Sequence, residues 1–148
     1  MNYLSQLTKA LDKNYAKLPA LPKGVNEFIV SVAPWLALIF GVLAIVSGLA
    51  AFGLLTALSP FAFVAGAGRY AFTGLLAAVV LLVQGVVELL AFPGLKARKV
   101  KGWNLMFYSL LLSVVSSVVS LSVSGIVGAL VGFLIGYYFL YQVKSYYK

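Results

Sequence analysis

Few side chains in this sequence could carry acid–base or metal chemistry. The carboxylates are Asp12, Glu27 and Glu88, and the chain has neither cysteine nor histidine. Three carboxylates so far apart in sequence offer no obvious pair for hydrolysis and no oxygen cage for a metal ion. The missing cysteines exclude a thiol nucleophile, and the missing histidines exclude the usual proton shuttle. We therefore predict a protein that is not an enzyme and that holds no metal or cofactor.

Glu88 is the carboxylate with the clearest functional potential. It lies near the end of a long apolar stretch, and Gln84 is one helical turn away on the same face. A carboxylate at membrane depth is costly and often marks a cation or proton site. Near the membrane surface it could instead form a structural ion pair with Lys96, Arg98 or Lys99. Both interpretations stay open at the level of sequence.

Other polar side chains could extend a path from Glu88. Serines recur on one helical face, and their hydroxyls can bond their own backbone or a neighbouring helix. Arg69 stands alone between two apolar stretches, either as an interfacial anchor or as an attraction for anions. The candidate polar path consists of Glu88, Gln84, Arg69, Ser109, Ser113, Ser117 and Ser120.

The composition indicates that lipid is the solvent for much of the chain. Of the 148 residues, 63% are hydrophobic and 9% are charged, whereas soluble domains are about 45–50% apolar and about 25% charged. A chain of this size cannot bury such an excess in one core. We expect an all-α, polytopic membrane protein with a bundle of four transmembrane helices in one domain, residues 24–148. The predicted spans are about residues 28–53, 70–92, 103–121 and 126–141.

One apolar stretch is too long for a single span. No charged residue occurs from residue 28 to residue 68, a run of 41 positions, whereas one crossing needs about 20. Residues 54–68 contain Ser59, Pro60 and a glycine-rich segment. We therefore expect an irregular connection there, either packed on the bundle or dipping back into the bilayer, where protein must satisfy its backbone.

Residues 1–23 combine an amphipathic segment with a proline hinge. Leucines recur at helical spacing, while Lys9, Lys13 and Lys17 recur every four residues on another face. This pattern predicts a helix in the membrane interface with its lysines toward anionic head groups. A helix docked against a neighbouring subunit would show the same pattern. The prolines at residues 18–22 are expected to end the helix.

The basic residues predict the orientation of the protein. Ten of the eleven lie on one side of the four-span arrangement, and only Arg69 lies on the other. Because basic loops stay inside, we expect both termini in the cytoplasm of a prokaryotic inner or plasma membrane. Their position at span ends argues against nucleic acid as a partner. Anionic lipid head groups are expected to contact Lys9, Lys13, Lys17, Lys96, Arg98, Lys99 and Lys101.

Small and aromatic residues mark the fourth predicted span. Gly128, Gly132 and Gly136 form a flat groove that lets another helix approach closely. We expect this groove to pack against the serine-bearing third helix or to support subunit contact in a homo-oligomer. The tyrosines at residues 137–147 indicate an interfacial belt.

Two functional hypotheses follow. The first is a homo-oligomeric passive channel or transporter for a small solute or ion, in which hydroxyls and backbone carbonyls could line a path. The second is a non-transporting structural or accessory membrane protein that presents its basic cytoplasmic face to lipid or to a partner.

Overall fold

The computed structural model describes residues 3–119 and 123–148, which form five α-helices and a short 3-10 helix. The helices are α1 (Tyr3–Tyr15), α2 (Lys23–Val64), α3 (Gly68–Lys96), α4 (Val100–Val119) and α5 (Val123–Val143), and the 3-10 helix is Lys144–Tyr146. The predicted all-α fold class is confirmed over these residues. Helices α2 to α5 are each long and apolar enough to cross a membrane.

Helices α2 and α3 form a long hairpin with close backbone contact. A Cβ added to Gly85 of α3 would lie 2.8 Å from the carbonyl oxygen of Gly41 of α2. Further along the pair, a Cβ added to Gly48 of α2 would lie 2.8 Å from the Leu82 side chain. The missing side chains let the two helices approach closely, as small residues do in membrane helix pairs.

Helix α2 continues through most of the region that we expected to be irregular. It continues past Pro60 to Val64, so the prediction for residues 54–68 was wrong over most of that range. A proline cannot donate to the carbonyl four residues earlier, which is that of Thr56. The Ser59 hydroxyl donates to this carbonyl oxygen at 2.8 Å. The serine therefore replaces the missing donor, and the helix persists among apolar residues.

Two short turns join α2 to α3 and α3 to α4. Gly66 adopts a φ of 74° in the first turn, a left-handed conformation that glycine reaches without strain. Before the second turn, α3 passes Pro93, where we expected the second span to end, and continues to Lys96. Gly94 and Gly102 then meet so closely that a Cβ on Gly102 would overlap backbone atoms of α3.

Helices α4 and α5 accompany only part of the α2–α3 hairpin. Ser109 of α4 lies beside Glu88 of α3, so the end of α4 at Val119 is level with about residue 78 of α3. The hairpin continues about 15 Å beyond that level on the α3 side. We call the end with the α3–α4 turn and Lys144 the basic end, and the end with the α2–α3 turn the far end.

Aromatic side chains form the core at the basic end. Tyr137 of α5 is fully buried, and its ring centroid lies 5.5 Å from that of Phe107 of α4 and 6.1 Å from that of Phe133. Tyr147 is also buried. The belt interpretation is therefore wrong for these two tyrosines, because α4 and α1 cover them.

Helix α1 packs on α5 of its own chain. The Tyr15 hydroxyl donates to the Leu134 carbonyl oxygen at 2.9 Å, and the Tyr137 hydroxyl donates to Asp12 Oδ1 at 2.8 Å. Asp12 also forms an ion pair with Lys144. Neither interpretation of the N-terminal pattern anticipated this intramolecular docking. The contact of α1 with a membrane surface stays a prediction.

Candidate functional site

A cleft opens between α2 and α5, and α3 and α4 form its floor. Its volume is about 640 Å³, and alkyl and aromatic side chains dominate its walls. Phe40 of α2 and Phe139 of α5 stand at its mouth, where they are 56% and 43% exposed. The cleft is therefore open to the side of the helix bundle, the direction from which lipid would approach a membrane-embedded protein.

Glu88 lies on the floor of this cleft and is 6% exposed. Its Oε1 accepts hydrogen bonds from Ser109 Oγ at 2.6 Å and from Gln84 Nε2 at 3.0 Å. Its Oε2 is buried and has no hydrogen-bond partner within residues 3–119 and 123–148. An unpartnered buried carboxylate oxygen is costly. The adjoining cleft is roomy enough for a ligand or water to supply the partner.

The position of Glu88 on α3 explains why it faces inward. It belongs to a row of buried residues that includes Ala78, Gly85 and Ala91 and that lies between α2 and α4. Because the neighbouring residues in that row are small, the helices approach closely and enclose the carboxylate.

The ion pair that one of the two interpretations proposed between Glu88 and Lys96, Arg98 or Lys99 does not form in the structure, which describes all four residues. Arg98 NH2 instead contacts Glu27 Oε2 at 3.0 Å. Lys96 Nζ lies over the ring of Trp35, 5.7 Å from its centroid. Lys99 is exposed on the turn beyond α3. These bases are exposed, whereas Glu88 is buried.

Tyr147 contributes a second buried polar group to the cleft. Its side chain is 5% exposed, and its hydroxyl has no hydrogen-bond partner in the described parts of the chain. Burial raises the pKa of Tyr147, an effect that the charge of Arg98 partly offsets. The hydroxyl therefore stays protonated at neutral pH and can donate. Nothing in the sequence distinguished Tyr147 from the tyrosines around it, since its burial depends on how the C-terminal segment packs.

The structure brings part of the predicted polar path together. Gln84, Ser109 and Ser113 line the cleft with Glu88. The Ser113 hydroxyl donates to the Leu110 carbonyl oxygen of its own helix at 2.7 Å. Ser117 donates to the Ser113 carbonyl oxygen at 3.0 Å, and Ser120 lies outside the described residues.

Arg69 does not belong to the cleft. It is exposed in the first turn of α3, at the far end of the hairpin. It lies 19 positions before Glu88, which corresponds to about 28 Å along the helix. The two charges therefore cannot act on one small solute at the same time.

The three glycines of α5 differ in their surroundings. A Cβ on Gly136 would lie 2.8 Å from the Leu110 side chain of α4, as expected for close packing. Within the described residues, nothing lies within 4 Å of a Cβ on Gly128 or on Gly132. Of the three glycines, Gly136 therefore packs against α4 as one interpretation proposed, and subunit contact at Gly128 and Gly132 stays a prediction. Gly132 lines the cleft.

The basic residues predicted to contact lipid form an exposed set at the basic end and on α1. All seven are exposed: Lys9, Lys13, Lys17, Lys96, Arg98, Lys99 and Lys101. Of these, Arg98 is paired with Glu27. The remaining charges are available to anionic groups on the surface.

These features define an all-helical protein with four helices suited to a membrane and a lateral, mainly apolar cleft that contains a buried carboxylate. Within the described ranges, no group of three or more histidine, cysteine or acidic residues could hold a metal ion. Comparison with protein-family models, curated protein sequences and solved structures found no match to this chain.

Proposed function

We propose that this protein is a small membrane transporter or channel that binds a cationic solute in the cleft between α2 and α5. The observation that carries the proposal is Glu88, which lines the cleft with a buried Oε2 that lacks a partner in the described residues. A positive charge beside Oε2 would offset the cost of burying the carboxylate.

The hydrogen bonds around Glu88 support a role in binding. Ser109 and Gln84 both donate to Oε1, which fixes the carboxylate and leaves Oε2 for the solute. A cationic donor at Oε2 would form a charge-assisted hydrogen bond, which is stronger than a neutral one. One carboxylate suits a monovalent cation, whereas Ca²⁺ and Mg²⁺ require six or more oxygen ligands.

The charge distribution supports an orientation with the basic end in the cytoplasm. Lys96, Arg98, Lys99 and Lys101 are exposed there, and Arg69 is at the opposite end. In this orientation Glu88 lies about 12 Å along α3 from the cytoplasmic turn, because eight residues separate it from Lys96. A cytoplasm-specific reporter fused to either terminus should be active. A silent reporter on a stable fusion would contradict the orientation.

We further propose that the protein acts as a homo-oligomer. The cleft opens sideways, so a path across the membrane needs a second surface to enclose it. Gly128, with open space beside it, offers a place for close helix contact between subunits. Single-molecule subunit counting in lipid should give more than one copy, and a strictly monomeric protein would exclude an enclosed path of this kind.

Flux measurements on purified protein in liposomes test the proposed function. Entry of rubidium, methylammonium and ethidium would be followed separately for the wild type, Glu88→Gln and Glu27→Gln. Wild-type protein should pass at least one probe, and Glu88→Gln should lower that flux about tenfold or more. Glu27→Gln, which removes an exposed carboxylate outside the cleft, should leave it unchanged. Flux that Glu88→Gln does not alter, or no flux of any probe, would contradict the proposal.

A second candidate is the accessory function, which the exposed basic set favours. In that case anionic lipid should raise the melting temperature of the protein more than zwitterionic lipid does, because several lysines would gain head-group contacts. Replacing Lys96, Lys99 and Lys101 together by glutamine should remove the difference. Such a result combined with no flux would favour the accessory function over transport.

A further inference from the structure

We infer that the solute of the cleft is an amphiphilic organic monocation, with one positive centre and an apolar body, that enters from the lipid side. The inference rests on the proposed function, since it names the class of cation that Glu88 would bind.

The chemistry of the walls selects for an apolar body. Residues on α2 and α5 such as Leu36, Leu43 and Leu140 line the cleft, while Glu88 sits on its floor. A volume of about 640 Å³ lies within the range of roughly 300–1,000 Å³ typical of sites for drug-sized ligands. A bare metal ion would leave these walls without contact and would find too few oxygen ligands. An alkyl or aromatic body would fill the space and gain free energy from the area buried.

Aromatic rings around the cleft favour an organic cation further. Phe40, Phe139 and Tyr147 line it. The faces of such rings attract cations, most of all when the site is desolvated. Weakly hydrated organic cations lose less hydration free energy on entering such a site than small inorganic ions do. The carboxylate of Glu88, the aromatic rings and the volume of the cleft therefore all favour an organic cation.

The shape of the cleft indicates lateral entry. The exposed rings of Phe40 and Phe139 mark a mouth on the side of the bundle, in the middle of α2 and in the last two turns of α5. Gly132 has no side chain, and its surroundings on α5 are open. A molecule dissolved in the lipid can thus approach Glu88 without passing the basic end, where exposed lysines would repel a cation.

Binding of tetraphenylphosphonium tests the inference. The protein would be studied in micelles of an uncharged maltoside detergent, with tetraphenylborate as a probe of the same shape and opposite charge. Tetramethylammonium would serve as a small hydrophilic cation. Equilibrium dialysis should give saturable binding of tetraphenylphosphonium, at least tenfold tighter than of the other two probes. Glu88→Gln should weaken it at least tenfold, and Glu27→Gln should not.

A matched pair of glycine variants tests the location without altering the carboxylate. Gly132→Leu places a side chain into the cleft, whereas Gly53→Leu fills open space on α2 outside the cleft. Both positions have room for a Cβ, so both variants should fold. Gly132→Leu should weaken tetraphenylphosphonium binding at least tenfold, and Gly53→Leu should change it less than twofold. Equal effects of the two variants, or none, would overturn the inference.

The outcomes separate the ligand class from the transport function. Glu88-dependent flux of rubidium or methylammonium without tetraphenylphosphonium binding would overturn the inference and leave the proposed function in place. Glu88-dependent tetraphenylphosphonium binding without flux of any probe would support the ligand class and contradict transport. Competition by phosphatidylethanolamine, a zwitterion with no net charge, would show that the cleft does not select a monocation and would overturn the inference.

Discussion

Glycines on the two sides of the bundle have opposite roles. Gly41 and Gly85 lie at the contact between α2 and α3, where a single added methyl group would meet backbone atoms. Gly128 and Gly132 of α5 have the four-residue spacing typical of close helix contact, yet no described residue outside their own helix turn approaches their Cβ positions. The difference shows that glycine spacing permits close helix contact but does not decide where it forms.

The bulk of the neighbouring side chains explains the difference. Along α2–α3 a glycine on each helix lies at the same level, so the two backbones meet at Gly41 and Gly85. At the basic end, the rings of Phe107, Phe133 and Tyr137 fill the space between α4 and α5. These rings and docked α1 fix α5 at that end and leave it apart from α2 further along. The closed hairpin acts as the scaffold, and the open side provides the cleft.

The largest expected effect is that of Gly85→Ala, which adds a methyl group at the close contact between α2 and α3. Its Cβ would lie 2.8 Å from the Gly41 carbonyl oxygen and 3.0 Å from the Ile45 backbone nitrogen. Because backbone atoms cannot yield as a side chain can, we expect a loss of about 3 kcal/mol in the free energy of unfolding. Denaturant titration in detergent, followed by Trp fluorescence, would measure the loss.

Gly132→Ala is the control for that experiment. Its Cβ meets open space, and alanine favours a helix over glycine by up to about 1 kcal/mol. The variant should therefore unfold at the same denaturant concentration as the wild type, or a higher one. If it loses as much stability as Gly85→Ala, α5 has a packing partner at Gly132 and the cleft is closed.

Much of the fold could be predicted from the sequence, because lipid imposes simple rules on length and polarity. Apolar runs of sufficient length gave the number of long helices, and each proved helical in the described residues. The failure over residues 54–64 had a local cause. Proline was taken to disrupt the helix, but Ser59 supplies the hydrogen bond that Pro60 cannot.

The candidate site could be predicted only in part. Glu88 and Gln84 are one turn apart, so sequence alone placed them together, and their hydrogen bond follows from that spacing. The contact between Glu88 and Ser109 depends on the register of α3 against α4, which no local pattern encodes. The burial of Tyr147 depends on the path of the last residues over the bundle. Helix periodicity cannot predict such contacts, because they join segments that are distant in the sequence.

Ser109→Ala should have the next largest effect, because it alters the floor of the open cleft. The variant removes a 2.6 Å hydrogen bond to a buried carboxylate oxygen, and bonds to charged groups contribute about 1.5–3 kcal/mol. Ser113→Ala removes a hydroxyl that bonds only locally, to the carbonyl of Leu110. We expect Ser113→Ala to cost less than about 1 kcal/mol. Thermal unfolding of the two variants side by side would check the difference, and equal losses would mean that Ser109 does not hold Glu88.

The smallest expected effect concerns α1, which packs on α5. Tyr15→Phe removes the hydrogen bond to the Leu134 carbonyl oxygen and should weaken docking of α1 by about 1 kcal/mol. Burial raises the pKa of Tyr15 above its ordinary value of about 10. The docked state therefore favours the protonated hydroxyl. The Tyr15 hydroxyl stabilises the docked state fully below pH 10, and this stabilisation is lost as the pH rises through the pKa that Tyr15 has in the docked state.

The chain has no cysteine, so spin labels at Lys9→Cys and Lys101→Cys would report the distance between α1 and the α3–α4 turn without interference. At pH 8 the wild-type background should give a narrower distance distribution than the Tyr15→Phe background. Above the raised pKa of Tyr15 the two distributions should converge, because ionised Tyr15 can no longer donate to Leu134. A difference between the backgrounds that persists at high pH would mean that the Tyr15 hydroxyl does not stabilise α1 on α5 through this hydrogen bond.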